Sequence, residues 1–306
     1  MIFFYNVENL FPPDIRNKKP VSGLRNWNEE RYQQKLNNIV KVLELLKQEK
    51  KEFPTLIGLC EVQGEKPILD LLENDIFNHS FGFVHYDSMD ERGMDVALLY
   101  DKSKVEILSS ETISFLFEID DKNPENYDTT RDVLHCKVKY ENTIIHIFIL
   151  HLPSKRELNI NKPKREFILN EVKKKIGIIN SESVVVMGDF NENPDSEMMQ
   201  NFVHHTENEL RLINPFLDIF KSRGFSTFHQ KTGLLFDQII LSEDFFQTKE
   251  NALSFVSAGV FNHQKISNFD RRFFGRPYRT YVGTRYLGGF SDHFPVIVQL
   301  KKNRLL

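Results

Sequence analysis

Val184-Val185-Val186-Met187-Gly188-Asp189-Phe190-Asn191-Glu192-Asn193-Pro194 joins an apolar run to a polar turn. Consecutive Val residues ahead of a glycine read as a buried strand. The run stops at Gly188, where a missing Cβ lets backbone approach a ligand closely. Asp189 and Asn191 follow with one residue between them. Any single part of this string reads equally well as an ordinary turn. The whole string is far more specific, and four other segments share its design.

Each of those segments sets a carboxylate, amide or imidazole at the end of an apolar strand, where a rigid scaffold can hold reactive groups. In Asn6-Val7-Glu8, alternation along a strand lets Asn6 and Glu8 point the same way. In Ile57-Gly58-Leu59-Cys60-Glu61, an acid ends a buried run. That placement is costly unless the acid is solvated, paired or bound to a cation, and hard cations such as Mg²⁺ take oxygen ligands. Ile147-Phe148-Ile149-Leu150-His151 ends in an imidazole. Phe290-Ser291-Asp292-His293-Phe294-Pro295 offers a carboxylate for metal beside an imidazole for proton transfer. Upstream, Asp237 sits inside Leu235–Leu241, where it can orient and polarise His293. Taken one at a time, these residues also fit exposed strand ends or structural hydrogen bonds. The remaining histidines, His79, His85, His135, His146, His204, His205, His229 and His263, read as structural.

Around these segments the pattern is that of mixed sheets covered by helices. Asn28 caps an amphipathic helix expected over 29–50, with Tyr32, Leu36, Ile39, Val40, Leu43 and Leu46 inward. A shorter helix is expected over 66–74. A third, over 162–180, turns Phe167, Ile168, Val172, Ile176 and Ile179 inward. Strands are expected at 2–7, 183–188, 235–241, 253–260 and 294–300. A hairpin over 131–139 and 143–150 turns at Glu141-Asn142. Residues 12–27 read as a polar loop. No linker or repeat divides the 306 residues, so one domain over 1–306 is expected.

Bulk composition excludes several classes. The chain is 40% hydrophobic and 27% charged, with 27 Phe residues that read as core. Its net charge of −3 lacks the basic excess of a dedicated nucleic-acid binder. Two cysteines, Cys60 and Cys136, lie in apolar runs and read as buried thiols. Neither a leader nor a spanning run is visible, which points to a cytoplasmic protein; a monomer is expected. P-loop, dinucleotide-binding, nucleophile-elbow and zinc patterns are missing.

In order and content the five segments, GDFN and SDHFPV above all, resemble the endonuclease/exonuclease/phosphatase superfamily, which includes deoxyribonuclease I-like enzymes. The match runs from Asn6 to His293. The resemblance implies an α/β, four-layer αββα sandwich, with two mixed β-sheets packed face to face and helices outside. It also implies a Mg²⁺-dependent phosphoester hydrolase, with Mn²⁺ as a substitute. Glu61 would be the principal metal ligand, and Asn6, Glu8 and Asp292 would complete the metal region. Asp189 and Asn191 would position the attacking water and phosphoryl oxygens. His151 would contact the phosphate or leaving group. His293, held by Asp237, would take a proton or hold the phosphate, and Arg131 would lie near the phosphate.

The substrate is less legible. Met187 stands where inositol phosphatases typically have Trp, and Glu8 stands where abasic-site enzymes usually have Asp. Residues 263–288 carry Lys265, Arg271, Arg272, Arg276, Arg279 and Arg285 against Asp270 alone, a local balance of +5. Aromatic residues are interleaved. Arginines bind phosphate and rings stack on bases, so the loop fits a nucleic-acid groove; it also fits a self-packed loop. A phosphodiesterase or nuclease is the first expectation. A phospholipid or sugar-phosphate phosphatase is the second, and a non-catalytic binding module the third.

Overall fold

The structure is a computed structural model that describes residues 1–13, 24–118, 127–155, 159–179, 182–204, 210–248, 250 and 252–303. Most of the polar loop expected over 12–27, and His205, lie outside the described residues. Strand β1 (Ile2–Leu10), helix α1 (Glu29–Lys50) and strand β2 (Leu56–Val62) form a crossover unit in which the strands run parallel. Asn28 caps α1 by accepting the Arg31 N–H, and Glu29 and Glu30 occupy the first turn, where the helix dipole favours carboxylates. Helix α2 (Lys66–Leu72) follows, then β3 (Phe81–His85), β4 (Asp95–Asp101) and β5 (Val105–Ile113).

The hairpin of β6 (Val133–Tyr140) and β7 (Thr143–His151) pairs Tyr140 with Thr143 across the expected turn. Helix α3 (Lys162–Gly177) carries the chain to β8 (Ser183–Asp189), parallel to β7, which makes a second crossover unit. Helix α4 (Glu197–Val203), β9 (Leu212–Ile213), helix α5 (Phe216–Lys221), β10 (Asp237–Ser242), β11 (Leu253–Val260) and β12 (Val296–Lys302) complete the main elements.

Two six-stranded mixed sheets result, ordered β11-β12-β1-β2-β4-β3 and β9-β10-β8-β7-β6-β5. Strand alternation explains how they stack. Ile2 and Phe4 of the first sheet pack with Ile147, Ile149, Val185 and Met187 of the second. On the opposite faces, Phe3 and Tyr5 meet Tyr32, Leu36 and Ile39 of α1, and Phe148, Val184 and Val186 meet Ile168 and Val172 of α3. Strands buried on both faces need apolar residues at every position, which accounts for the unbroken runs. The architecture is the expected αββα sandwich. Cys60 and Cys136 are buried and free. Among the described residues no helix is long and apolar enough to cross a membrane.

Three local expectations are corrected. Phe167 is 48% exposed; the inward stripe of α3 is Arg165, Ile168, Leu169, Val172 and Ile176, and Phe167 lies on its flank against Phe115 and Phe117. The strand expected from Leu235 begins at Asp237. At Gly188, a Cβ would stand 2.2 Å from the Leu150 carbonyl oxygen, so the missing Cβ serves the close approach of neighbouring strands.

Candidate active site

Strand register brings the polar residues together. Asp189, the last residue of β8, pairs with His151 on one side and Asp237 on the other. Opposite them on the first sheet, Asn6 pairs with Cys60, and Glu61 bulges out of the ladder between Cys60 and Val62. The two crossover units thus place the carboxyl ends of two pairs of parallel strands, one pair from each sheet, around one cleft, the usual location of sites in such sheets.

Four of the twelve described non-glycine residues with positive φ lie at these same ends. Glu8, Asn9, Glu61 and Asn191 all have positive φ, at 49°, 59°, 64° and 49°. Non-glycine residues pay roughly 1–3 kcal/mol for sparsely populated conformations, and such residues cluster at functional sites. At Glu61 the bulge swings the carboxylate into the cleft, where Asn6 Nδ2 donates to Oε1 at 3.2 Å and the Asn9 N–H to Oε2 at 3.0 Å.

Asn6 is the hinge between the sheets, because its Nδ2 also donates to Asp189 Oδ2 at 3.1 Å. The Asn191 N–H donates to Asp189 Oδ1 at 2.9 Å, and Asn191 Nδ2 to the Leu152 carbonyl at 2.9 Å. His293 Nδ1 lies 2.6 Å from Asp237 Oδ2. From Asp189 Oδ2, Nε2 of His293 is 3.9 Å away and Nε2 of His151 is 3.7 Å away; His151 Nε2 is also 3.8 Å from Glu61 Oε1. These gaps exceed a hydrogen bond, and an oxygen of water or substrate set to one side of a pair can reach both groups at hydrogen-bonding distance.

The electrostatics are uneven. Burial pushes the Asp189 carboxyl up to about 7, partly offset by His293. Burial opposes charge on His293, but Asp237 and Asp189 outweigh it and hold the imidazole well above its ordinary value. His151 is held well below its ordinary value, first by burial and then by the charges of Arg131 and Arg92. One ring therefore carries its proton and the other stays neutral.

The other expected residues are near but differently engaged. Glu8 and Asn6 do not share a face: the positive φ at Glu8 turns its carboxylate to the Thr280 and Tyr281 N–H groups, at 2.6 and 3.1 Å. Burial and Asp292 raise the Glu8 carboxyl to about 7. Asn6 Oδ1 accepts the Glu8 N–H at 3.0 Å, so each side-chain oxygen of these two residues already accepts one backbone hydrogen bond. Asp292 is 28% exposed, with Oδ1 4.0 Å from His293 Nε2 and Oδ2 3.6 Å from Arg279. Arg131 is buried, with Nε 3.3 Å from Asp90 Oδ2.

Two buried cations were missed from sequence. Arg165 Nη2 lies 2.9 Å from Glu192 Oε1, and its Nη1 donates to the Pro153 carbonyl at 3.0 Å; it thereby joins the loops after β7 and β8. Lys35 Nζ donates to Thr280 Oγ1 and the Phe290 carbonyl, each at 2.6 Å. Both lie on the inward stripes of their helices. A charge on an otherwise apolar stripe was the available signal, because a buried charge needs a specific partner.

Asp189, Asp237 and His293 form a cluster with the spacing to hold a metal ion, as do His85, Asp87 and Asp95 elsewhere. The donor set around Asn6, rich in carboxylate oxygen and without thiolate, fits a hard divalent cation.

The family model for the Endonuclease/Exonuclease/phosphatase family matches residues 1–302. The chain belongs to this family. Solved structures of family-type fold agree over nearly full length. TDP2 of D. rerio, complexed with single strand DNA product, superposes with a TM-score of 0.62 at 17% identity, covering 98% of each chain. The Bacteroides thetaiotaomicron mannosyl-6-phosphatase gives 0.57 at 17%, covering 98% of each chain. The human Nocturnin catalytic domain with bound sulfate gives 0.59 at 15%, covering 99% of this chain and 94% of that one. At such identities the likeness speaks for the fold. No curated protein sequence gave a significant match.

Proposed function

We propose that this family member is a Mg²⁺-dependent phosphoester hydrolase, with phosphodiesters as its substrates. The observation that carries the reading is the convergence of Glu61, Asp189, His151 and His293 around Asn6, at distances that let one oxygen contact two of these groups from the side. Glu61 and Asp292 are the residues to hold the metal, while Asn6 and Glu8 orient the groups around it. When bound, the ion supplies charge stabilisation for the phosphoryl oxygens.

The protein's own groups divide the proton work. Asp189, with its carboxyl near 7, is matched to accept a proton from water close to neutral pH. The protonated His293, braced by Asp237, faces the same space and donates to a phosphoryl or leaving oxygen. Neutral His151 offers a further Nε2 donor; its buried Nδ1 has no partner. Asn191 fixes Asp189 through its N–H and the strand exit through Leu152. An active site of preorganised donors of this kind stabilises developing charge by several kcal/mol.

Hydrolysis of bis-p-nitrophenyl phosphate with Mg²⁺ tests the reading. EDTA is expected to abolish it, and Glu61→Ala and His293→Ala to reduce it at least roughly 10²-fold. Full activity in excess chelator would overturn the metal assignment.

A further inference from the structure

A cleft of about 740 Å³ opens beside Asp292 between residues 228–230 and the 268–287 loop. Phe228, Phe269, Phe273, Tyr278, Arg276 and Arg279 line it. It is far larger than a phosphate needs, and none of the hydrolytic groups described above except Asp292 belongs to it. Phe269 and Phe273 of the lining are 61% and 39% exposed, and Phe274, next to them in the chain but outside the lining, is 66% exposed. Three large exposed rings within six residues form an apolar surface of the kind that marks a binding site.

The loop that forms one wall is tied down beside the cleft. Glu8 accepts the Thr280 and Tyr281 N–H groups, and Lys35 donates to Thr280 and Phe290. Asn38 Nδ2 donates to the Gly288 and Gly289 carbonyls at 3.1 and 2.8 Å. Arg276 stacks 4.1 Å from the Phe228 ring centroid and donates to the Gln230 carbonyl at 2.8 Å, which ties the two walls together. Arg279 sits 3.6 Å from Asp292 and so marks the passage from the cleft to the hydrolytic groups.

We infer that this cleft seats a nucleoside of a single-stranded oligonucleotide whose scissile phosphate lies at His293, beyond Asp292. The inference rests on the proposed function only for where the scissile phosphate lies. Rings and guanidinium planes match the faces of an unstacked base. The local balance of +5 over residues 263–288, with Arg271, Arg272 and Arg285 exposed, matches the phosphates that flank it on a strand. A single sugar phosphate would leave most of a cleft of about 740 Å³, and the arginines around it, without a partner. An anionic membrane would also attract arginine and aromatic groups. The concave lining and the inward-turned Arg276 and Arg279 favour a ligand that enters the cleft over a surface that lies on it.

Binding can be read without turnover, by fluorescence anisotropy of a 5′-fluorescein-labelled tetradeoxythymidylate in EDTA. The wild-type protein is expected to bind it, with affinity falling as salt rises. Phe269→Ala, at an exposed position, is expected to weaken binding roughly tenfold, and Arg285→Ala to weaken it and flatten the salt dependence. No binding, or equal binding by both variants, overturns the inference. So does loss of anionic phosphatidylserine-vesicle binding in these variants with oligonucleotide binding intact. Binding that depends on both residues, in a protein that hydrolyses no phosphoester, upholds the cleft and sinks the hydrolase reading.

Discussion

His293 keeps its proton because two carboxylates outweigh burial, and this has consequences that can be measured. A base whose pKa rises on folding stabilises the fold by binding its proton. That contribution is complete below the ordinary value of 6.5 and is lost as pH rises through the raised folded value. Asp237→Asn removes the nearer carboxylate, at 2.6 Å. Burial then faces Asp189 and the more distant Asp292, and the imidazole is expected to titrate lower. ¹⁵N-imidazole NMR of the metal-free protein reads this shift directly. The same variant is expected to lose about 10²–10⁴-fold in hydrolysis, because the ring is no longer held charged and in place. An unchanged His293 titration would show that Asp237 does not govern it. Glu61 poses a different residue-scale problem, since its side chain reaches the cleft only through a φ of 64°. No pattern of apolar and polar residues announces a bulge, so the sequence could identify the acid but not the turn that aims it.

At the scale of elements, the strands were the legible part. Their two-sided burial writes itself as unbroken apolar runs, and the polar residue that ends each run is a candidate site residue. What the runs could not reveal is engagement across elements. Glu8 looked like a partner of Asn6 by strand alternation, yet the bulge in β1 delivers it to the 280–281 backbone. Likewise, Arg165 is one polar residue within α3 until the fold sets it, fully buried, against Glu192. Removing one member of a buried ion pair strands the other and costs about 3–5 kcal/mol. Arg165→Leu is therefore expected to lower stability by about that amount and to loosen the loops that follow His151 and Asp189. Lys155 remains 2.6 Å from Glu192 Oε2 and tempers the loss. The double variant with Glu192→Leu is expected to recover much of the stability but not the activity, since the two loops lose their shared clamp. Urea denaturation and hydrolysis rates on both variants check this; a single variant as stable as wild type would show that the clamp contributes nothing to the fold.

For the whole molecule, the site is the seam between two crossover units. Glu61 and Asn6 come from the first sheet, and Asp189, His151 and Asp237 from the second. Among these residues only the Asn6 side chain hydrogen-bonds both the Glu61 and the Asp189 carboxylate. A divalent ion held chiefly by Glu61 would add a second tie across the seam, at the point where like charges now face one another. A ligand that binds only the folded state stabilises it by RT ln(1 + [L]/Kd), about 2.7 kcal/mol at one hundred times Kd. For a chain of this size, that corresponds to a rise of a few degrees in melting temperature. Titration with Mg²⁺ is therefore expected to raise the melting temperature of the wild-type protein in a saturable way, and EDTA to reverse the rise. Glu61→Ala is expected to remove the Mg²⁺-dependent increment while Arg285→Ala, remote from the seam, retains it. Differential scanning calorimetry across the titration checks both. An equal increment in wild type and Glu61→Ala would place the ion away from the seam, and with it would go the account of how the two sheets share one site.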